Sequence, residues 1–349
     1  MIRIGMIGSN FGLAVHLPAL RSDPRANVVA LAGRDATRTA DRAKQAGIAE
    51  AFGDWRRMLD NIPLDAVTIA VPPDQQAAIA IAALQRGLAV FAEKPMAASL
   101  ADAEAMVRQA GDIPTMLDFE FTEMPAWRSA KALVDAGALG RLRSVAVNWS
   151  VENQATRLRL RHWKTDGASG GGALGNFVSH SVQYLEWLAG PIAGLSAHIG
   201  CLPDAPDLET GVSASLAFAS GASGSLAMTC AAFLGSGHRI EIYGEEGTLV
   251  LANPTRDYMR GFTLRHARRP AEALEMVTVN DDPTDAAHDD SRIAPTARLM
   301  RRFLDSIEQR RPAEPGFNAG LRTQVLLEAI RRSHAEGRWI ATGPSSTTP

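Results

Sequence analysis

The chain has 349 residues, of which 46% are hydrophobic and 21% charged, with a formal net charge of -2. That balance describes a globular protein with more than one core and excludes the disordered, fibrous and strongly basic classes. The arginines between Arg157 and Arg161, and Arg301, Arg302, Arg310 and Arg311, form runs too short for a nucleic-acid footprint and read as solvated faces.

Residues 2–7 are an apolar run closed by Gly8, and a helical pattern follows from Gly12 to Arg21. "NVVALAG" is a second apolar run, leading into a helix that Asp35 can cap and Gly47 can end. "LDAVTIAVPP" reads as a buried strand stopped by Pro72 and Pro73, followed by an Ala-rich helix and the strand "LAVFAEKP". Strands apolar throughout are buried on both faces, so strand and helix in alternation predict a parallel, doubly wound α/β sheet with right-handed crossovers. From about residue 142 the pattern changes to alternation: Val145, Val147, Trp149 and Val151 share one face, as do Val212, Ala214, Leu216 and Phe218. Glycine-bearing turns join these strands, which predicts antiparallel hairpins with one face wet. Two amphipathic helices close the chain, one carrying Ile293, Ala297, Met300, Leu304 and Ile307, the other Leu321, Val325 and Ala329. The predicted domains are 1–120 and 121–349, and the Ser/Thr/Pro end after Gly343 is expected to fray. Cys201 and Cys230 have neither C-x-x-C spacing nor a histidine cluster, so no metal site or disulfide is expected and both read as buried free thiols. No stretch approaches the ~18 uncharged apolar residues of a membrane span, and the first strand begins at once, which predicts a cytoplasmic protein that engages no membrane.

A dinucleotide fold turns its first strand tightly into a helix whose N–H groups meet the pyrophosphate. Here the turn is "GMIGSNFGLAVHLPAL", and the candidate cofactor residues are Gly8, Ser9, Asn10, Phe11 and Gly12. Gly8 fits the first glycine of the fingerprint; Asn10 stands at the second, and Leu13 at the third. Asn10 tolerates positive φ better than most residues, and Ser9 and Asn10 offer side-chain donors to phosphate. At the end of the second strand, where a carboxylate would bind the ribose 2'-hydroxyl, the sequence has Gly33 and then Arg34, with Arg38 one helical turn on. This favours NADP(H) over NAD(H).

The segment from "LDAVTIAVPP" through "EKPMAASLADAEAMV" resembles the glucose-fructose oxidoreductase, inositol dehydrogenase and MocA family. The blocks "HLPAL", "AWRSAKALVDAGALGRLRSV", "SGGGALGNFVSHSVQYLEWLAG" and "PGFNAGLRTQVLLEAI" are similar to family blocks in the family order. The resemblance implies a Rossmann domain, then an α/β domain with a large, mainly antiparallel open sheet, with nicotinamide in the cleft between them. It places Lys94 near nicotinamide and substrate and Glu93 at the cofactor end. Pro95, with a peptide bond that can be cis, fixes the backbone after the lysine, and Pro72, Pro73 and Gln76 lie along the cofactor site. The family motif of Asp, His and Asp reads Asn176, His180 and Gln183 here; Gln76 and Thr122 are further departures. If that stretch is helical, Asn176 and His180 share a face after the glycines 170–172.

Oxidising a secondary alcohol requires a base for the hydroxyl proton, and histidine, with an ordinary pKa of ~6.5, suits that task. His180 is therefore the predicted acid/base, Lys94 the donor that stabilises developing alkoxide, and Asn176 their catalytic neighbour. Glu120, Glu123, Trp127, His162, Trp163, Lys164 and Gln183 are the candidate substrate residues. The expected activity is hydride transfer between NAD(P) and a hydroxyl or keto carbon of a sugar, cyclitol or related polyol. A reductase of a non-sugar ring, of dihydrodiol or tetrapyrrole type, and a non-catalytic nucleotide sensor or scaffold remain the alternatives. The expected partners are a small-molecule substrate and further copies of the chain, in a dimer or tetramer joined through the second sheet.

Overall fold

The computed structural model describes residues 1–280 and 287–343, so the expectation for the chain end past Gly343 lies outside the described residues. Two compact units emerge. The first takes Met1–Glu120 and, later in the chain, the stretch ending at Leu321; the second takes the residues from Phe121 onward and returns at Arg322.

In the first unit, β1 (Ile2–Ile7), β2 (Ala26–Ala32), β3 (Glu50–Phe52), β4 (Ala66–Ile69), β5 (Ala89–Ala92) and β6 (Thr115–Leu117) form one sheet in the order β3-β2-β1-β4-β5-β6. Every pairing in it is parallel. The order reverses direction at β1, next to β4, and α/β sheets bind ligands beyond the strand ends at such a point. The helices are α1 (Leu17–Arg21), α2 (Ala36–Gln45), α3 (Trp55–Asn61), α4 (Pro73–Leu84) and α5 (Leu100–Ala110). Asp35 and Ser99 cap α2 and α5 by accepting from the Arg38 and Asp102 amides, and Pro73 opens α4. One apolar cluster joins Val67, Ile69, Leu84, Met106 and Leu117; another joins Ile4, Met6, Leu20, Phe91 and Phe303.

In the second unit, α6 (Pro125–Asp135), α7 (Gln154–Arg157) and α8 (Ser179–Ala189) accompany a nine-stranded sheet. Its strands are β7 (Leu142–Ser150), β8 (Ile192–Leu202), β9 (Ala205–Phe218), β10 (Ser223–Thr229), β11 (Gly237–Gly244), β12 (Gly247–Asn253), β13 (Thr263–Arg268), β14 (Glu275–Met276) and β15 (Ile340–Ala341). The order is β14-β13-β12-β11-β7-β10-β9-β8-β15, antiparallel except for β7 with β10. Val145, Val147, Trp149, Val212, Leu216 and Phe218 are buried on its covered face, while Ser213, Ser215, Ser225 and Ala227 are exposed on the other.

Of the two last helices, α9 (Ile293–Gln309) belongs to the first unit and most of α10 (Phe317–Glu336) to the second. This differs from the single cut expected after residue 120. The reason is the buried stripe Leu299, Met300, Phe303 and Leu304, which completes a first-unit cluster, reinforced by Arg25 pairing with Asp305 and Glu308 at 2.7 and 2.8 Å. Both cysteines are free thiols; Cys230 is buried, but Cys201, near the end of β8, is exposed, against expectation. Among the described residues no helix is long and apolar enough to cross a membrane.

Candidate active site

The parallel sheet brings its strand C-termini to one edge, and the predicted first-unit residues gather there. Gly8 adopts φ +111, and a Cβ at that position would lie 2.2 Å from the Ala70 carbonyl oxygen, so glycine is required at the crossing of β1 and β4. The chain then enters a π-turn, Gly12–His16, that runs directly into α1 and carries no side-chain cap. Ser9 and Asn10 do not stand free. Arg42, on α2, donates to the Ser9 carbonyl at 2.8 Å, to the Ser9 hydroxyl at 3.1 Å and to Asn10 Oδ1 at 2.5 Å. Arg34 and Arg38 are exposed at the start of α2, and Arg42 lies one turn beyond Arg38. That spacing of four was the available signal for Arg42, which the sequence reading missed. Gly33 presents no side chain here, and a Cβ there would press on Thr39 Oγ1 at 2.5 Å.

Beyond β4 and β5 the E-K-P segment is clamped from α4. Gln76, fully buried, donates from Nε2 to the carbonyls of Glu93 at 3.0 Å and Pro95 at 2.8 Å, and the Lys94–Pro95 peptide is cis. The side chain expected to touch cofactor directly is thus bonded to the backbone around Lys94. Lys94 itself is half-buried, as is Glu93.

A second missed residue organises this edge. His16, at 0% exposure, directs Nδ1 to Thr68 Oγ1 on β4 and Nε2 to Glu93 Oε1 at 3.0 Å, with Asp118 Oδ2 at 3.6 Å. Burial opposes its charge, but Asp118 and Glu93 outweigh burial and raise its pKa from 6.5 to about 9. Burial likewise works against the Glu93 anion, yet bonding and attraction to His16, with the Lys94 charge, hold it below the usual carboxylate range. Asp118 is pushed up to about 6 by burial and the Glu93 charge, against His16. Glu120 reaches about 8 through burial and the neighbouring Asp118 charge, opposed by Lys94. One polar atom each of His16, Glu93 and Asp118 lies within 4.8 Å of the others, and the His16–Glu93 hydrogen bond satisfies the facing atoms with a proton.

In the second unit, the glycines 170–172 precede another π-turn, Leu174–Val178, that leads into α8. A Cβ on Gly171 would lie 1.9 Å from the Trp163 carbonyl, and one on Gly172 2.1 Å from Glu209 Oε2, so this loop packs too closely for side chains. Asn176 spends its amide donors on it, reaching the Lys164 carbonyl at 2.6 Å and the Gly172 carbonyl at 2.7 Å. Glu209, whose pKa burial raises, accepts from the Leu174 amide at 3.2 Å. With Asn153, Thr156 and Lys164 these residues line a small recess. His180 is buried on α8 with its ring edge-on to Phe121 at 4.8 Å, and Gln183 is half-buried one turn on. Trp127 is fully buried against Phe121, Tyr184 and Phe262, so it is a core wall and offers no face to a ring. His162 is exposed and accepts from the Lys164 amide, while the Lys164 ammonium sits 5.6 Å over Trp163. Glu120 and Glu123, at either end of one 3-10 turn, are both buried. A second buried histidine, His238, stacks on Trp149 at 4.2 Å, bonds Tyr184 Oη at 2.8 Å, and is held neutral by burial, with a pKa of about 3.

Residues 2–117 match the model for an oxidoreductase family with an NAD-binding Rossmann fold, and residues 127–250 match the GFO/IDH/MocA C-terminal domain. An uncharacterized oxidoreductase of Synechocystis sp. is 32% identical over 97% of this chain and 96% of its own. The chain belongs to the GFO/IDH/MocA oxidoreductase family. Levoglucosan dehydrogenase of Pseudarthrobacter phenanthrenivorans is 25% identical, covering 97% of each chain. A solved levoglucosan dehydrogenase in complex with NADH shares the fold, with TM-score 0.85 over 98% of this chain and 99% of that one, at 24% identity. The protein is accordingly an NAD(P)-dependent oxidoreductase with a Rossmann unit and a mostly antiparallel second sheet. The first-unit edge fits a dinucleotide: Gly8 and Gly33 keep it free of side chains, and Arg34, Arg38 and Arg42 supply positive charge beside it.

Proposed function

We propose that this GFO/IDH/MocA member transfers hydride between nicotinamide and a hydroxyl or keto carbon of a sugar, cyclitol or related polyol. The observation that carries the reading is the clamped E-K-P segment: Gln76 and His16 fix Lys94 and Glu93 at the ligand-binding edge of the parallel sheet. The likeness to a protein named levoglucosan dehydrogenase supports a sugar-like substrate. Gly8 to Gly12, Gly33, Pro72, Pro73 and Glu93 hold the coenzyme, which when bound accepts or supplies hydride. In oxidation His180 takes the hydroxyl proton as the C–H bond breaks and C–O becomes C=O; in reduction it returns that proton. Lys94 donates to the substrate oxygen as negative charge develops there. Glu120, Glu123, Gln183 and the segment His162–Lys164 contact substrate, while Asn176 shapes the loop from beneath.

NADPH binds more tightly than NADH in this reading, because position 33 is glycine and carries no carboxylate, and Arg34 and Arg38 stand exposed beside it. Copies of the chain associate through the exposed Ser- and Ala-bearing face of the nine-stranded sheet, which light scattering tests. The function is tested by titrating both coenzymes against nicotinamide fluorescence and assaying a polyol and cyclitol panel with native, Lys94→Ala and His180→Ala proteins. Turnover by the native chain, falling by orders of magnitude in both folded variants, supports the assignment; near-native rates in either variant remove that residue from the mechanism. NADPH-linked turnover of a dihydrodiol with none across the panel replaces the substrate class.

A further inference from the structure

We propose that His16 is a positioning residue for the coenzyme-side pair Glu93 and Lys94, its ring fastening together the ends of three strands beneath them. The proposal rests on the reading of that pair as part of the coenzyme site. His16 is the last residue of the π-turn that leaves β1, and single π-turns recur at functional sites because they redirect one side chain without ending the helix. From there the ring reaches Thr68 on β4, Glu93 after β5 and Asp118 after β6. Asp118 is in turn held by Thr296 of α9, whose hydroxyl lies 3.2 Å from both carboxylate oxygens. Phe11 and Phe91 stand edge-on to the imidazole at 5.4 and 5.3 Å, and the Arg292 guanidinium covers Phe11 at 5.0 Å. The charged and titratable groups around the ring are therefore Glu93, Asp118, Glu120, Lys94 and, behind Phe11, Arg292.

A buried histidine hydrogen-bonded to one carboxylate and ion-paired with a second is a poor device for stability, since apolar residues of similar volume serve as well or better. Its bond to Glu93, the residue before Lys94, gives it a positioning role instead. While the ring is charged, it holds the Glu93 carboxylate by charge as well as by hydrogen bond; once the ring loses its proton, Glu93 loses that charge partner and the segment carrying Lys94 is held chiefly by the Gln76 clamp. His16 carries that proton at neutral pH and gives it up near pH 9. Coenzyme binding should weaken over the same interval.

The test uses the full chain, with NADH alone as the probe, so no substrate is needed. Nicotinamide fluorescence gives the NADH Kd from pH 6.5 to 10, while ¹⁵N shifts of the imidazoles give the His16 protonation state in the same samples. The expected result is a His16 ring doubly protonated at pH 7.5 and a Kd that rises about tenfold in step with its deprotonation. His16→Gln is expected to bind NADH about tenfold more weakly at pH 7.5 and to show no pH step. A merely structural role would lower the melting temperature of His16→Gln yet leave the step in place, which overturns the proposal. If that variant does not fold, the native protein still decides, because a neutral His16 ring at pH 7.5 or a pH-independent Kd also overturns it. Lys94→Met and Glu120→Gln control for the neighbouring groups: persistence of the step in both assigns it to His16, and its loss in either reassigns it to that residue and ends the inference. Stoichiometric divalent metal in the native protein, lost together with NADH binding on chelation, would show that the cluster holds an ion in place of the proton. No binding of NADH or NADPH to the native chain sinks the coenzyme assignment itself, a failure distinguishable from loss of the step alone.

Discussion

Replacing Glu120 by glutamine measures the electrostatics of the first unit's edge. Its carboxyl is buried beside Asp118, and its pKa in the folded chain is about 8, against 4.5 for an ordinary glutamate. A carboxyl whose folded pKa is raised contributes stability that is complete below the unfolded value and is lost as pH rises through the folded one. Between pH 4.5 and 7 the unfolded side chain ionises freely and the folded one does not, so the native protein loses about 3 kcal/mol from this residue alone. Glutamine resembles the neutral acid in shape and does not titrate. Glu120→Gln should therefore match the native protein near pH 4 and exceed it by about 3 kcal/mol at pH 7. Urea unfolding followed by circular dichroism at pH 4, 5.5, 7 and 8 reads the difference directly. A gap that stays constant across that range, or a variant less stable than native at pH 7, would refute the reasoning.

Four further outcomes follow from the geometry. Gly8→Ala sets a side chain at φ +111 and 2.2 Å from a carbonyl oxygen, so it should lower the melting temperature and weaken NADH binding by at least about tenfold. Arg42→Ala removes the donor that ties Ser9 and Asn10 to α2, and fluorescence titration should show NADH and NADPH weakened alike; Arg34→Ala should weaken NADPH alone. Asn176→Asp sets an anion against the Lys164 and Gly172 carbonyls, so thermal melts should show a loss of about 1–3 kcal/mol with no gain in turnover.

The fold was legible because its two sheets carry different periodicities. Continuous apolar strands such as Ala66–Ile69 and Ala89–Ala92 announce burial on both faces, and the alternation in Leu142–Ser150 announces burial on one. The assignment of α9 was not legible: an amphipathic stripe says that a helix packs, and nothing in Ile293–Gln309 says against which sheet. Gly8, the E-K-P segment and the Arg34–Arg38 spacing were all found in the sequence. His16 escaped because it sits in an apolar helical pattern where a histidine reads as core, and its partners are 77 residues or more away or, for Thr68, carry no charge. Trp127 was misjudged for the converse reason: a tryptophan near a predicted site invites a stacking role, but here Phe121, Tyr184 and Phe262 enclose it. Asn176 stood where the family carries a carboxylate, yet only the folded loop reveals that its amide is bonded to backbone.

His16, Asp118 and Glu120 are all buried at the carboxyl edge of a sheet whose strands are otherwise apolar, with Glu93 and Lys94 half-buried among them. Hydrophobic burial alone would favour removing every one of them, because each charge withdrawn from water costs free energy that pairing only partly restores. Their shifts also point different ways: His16 keeps a proton to about pH 9 and Glu120 to about pH 8, while Glu93 stays ionised. Neighbouring groups forced into unlike protonation states at one pH are what proton-coupled chemistry requires and what a stable core does without. Lys94 is thus a half-buried member of a charged cluster, and the cluster accounts for why the chain leaves β5 through Glu93 and Lys94 where further apolar residues would pack better.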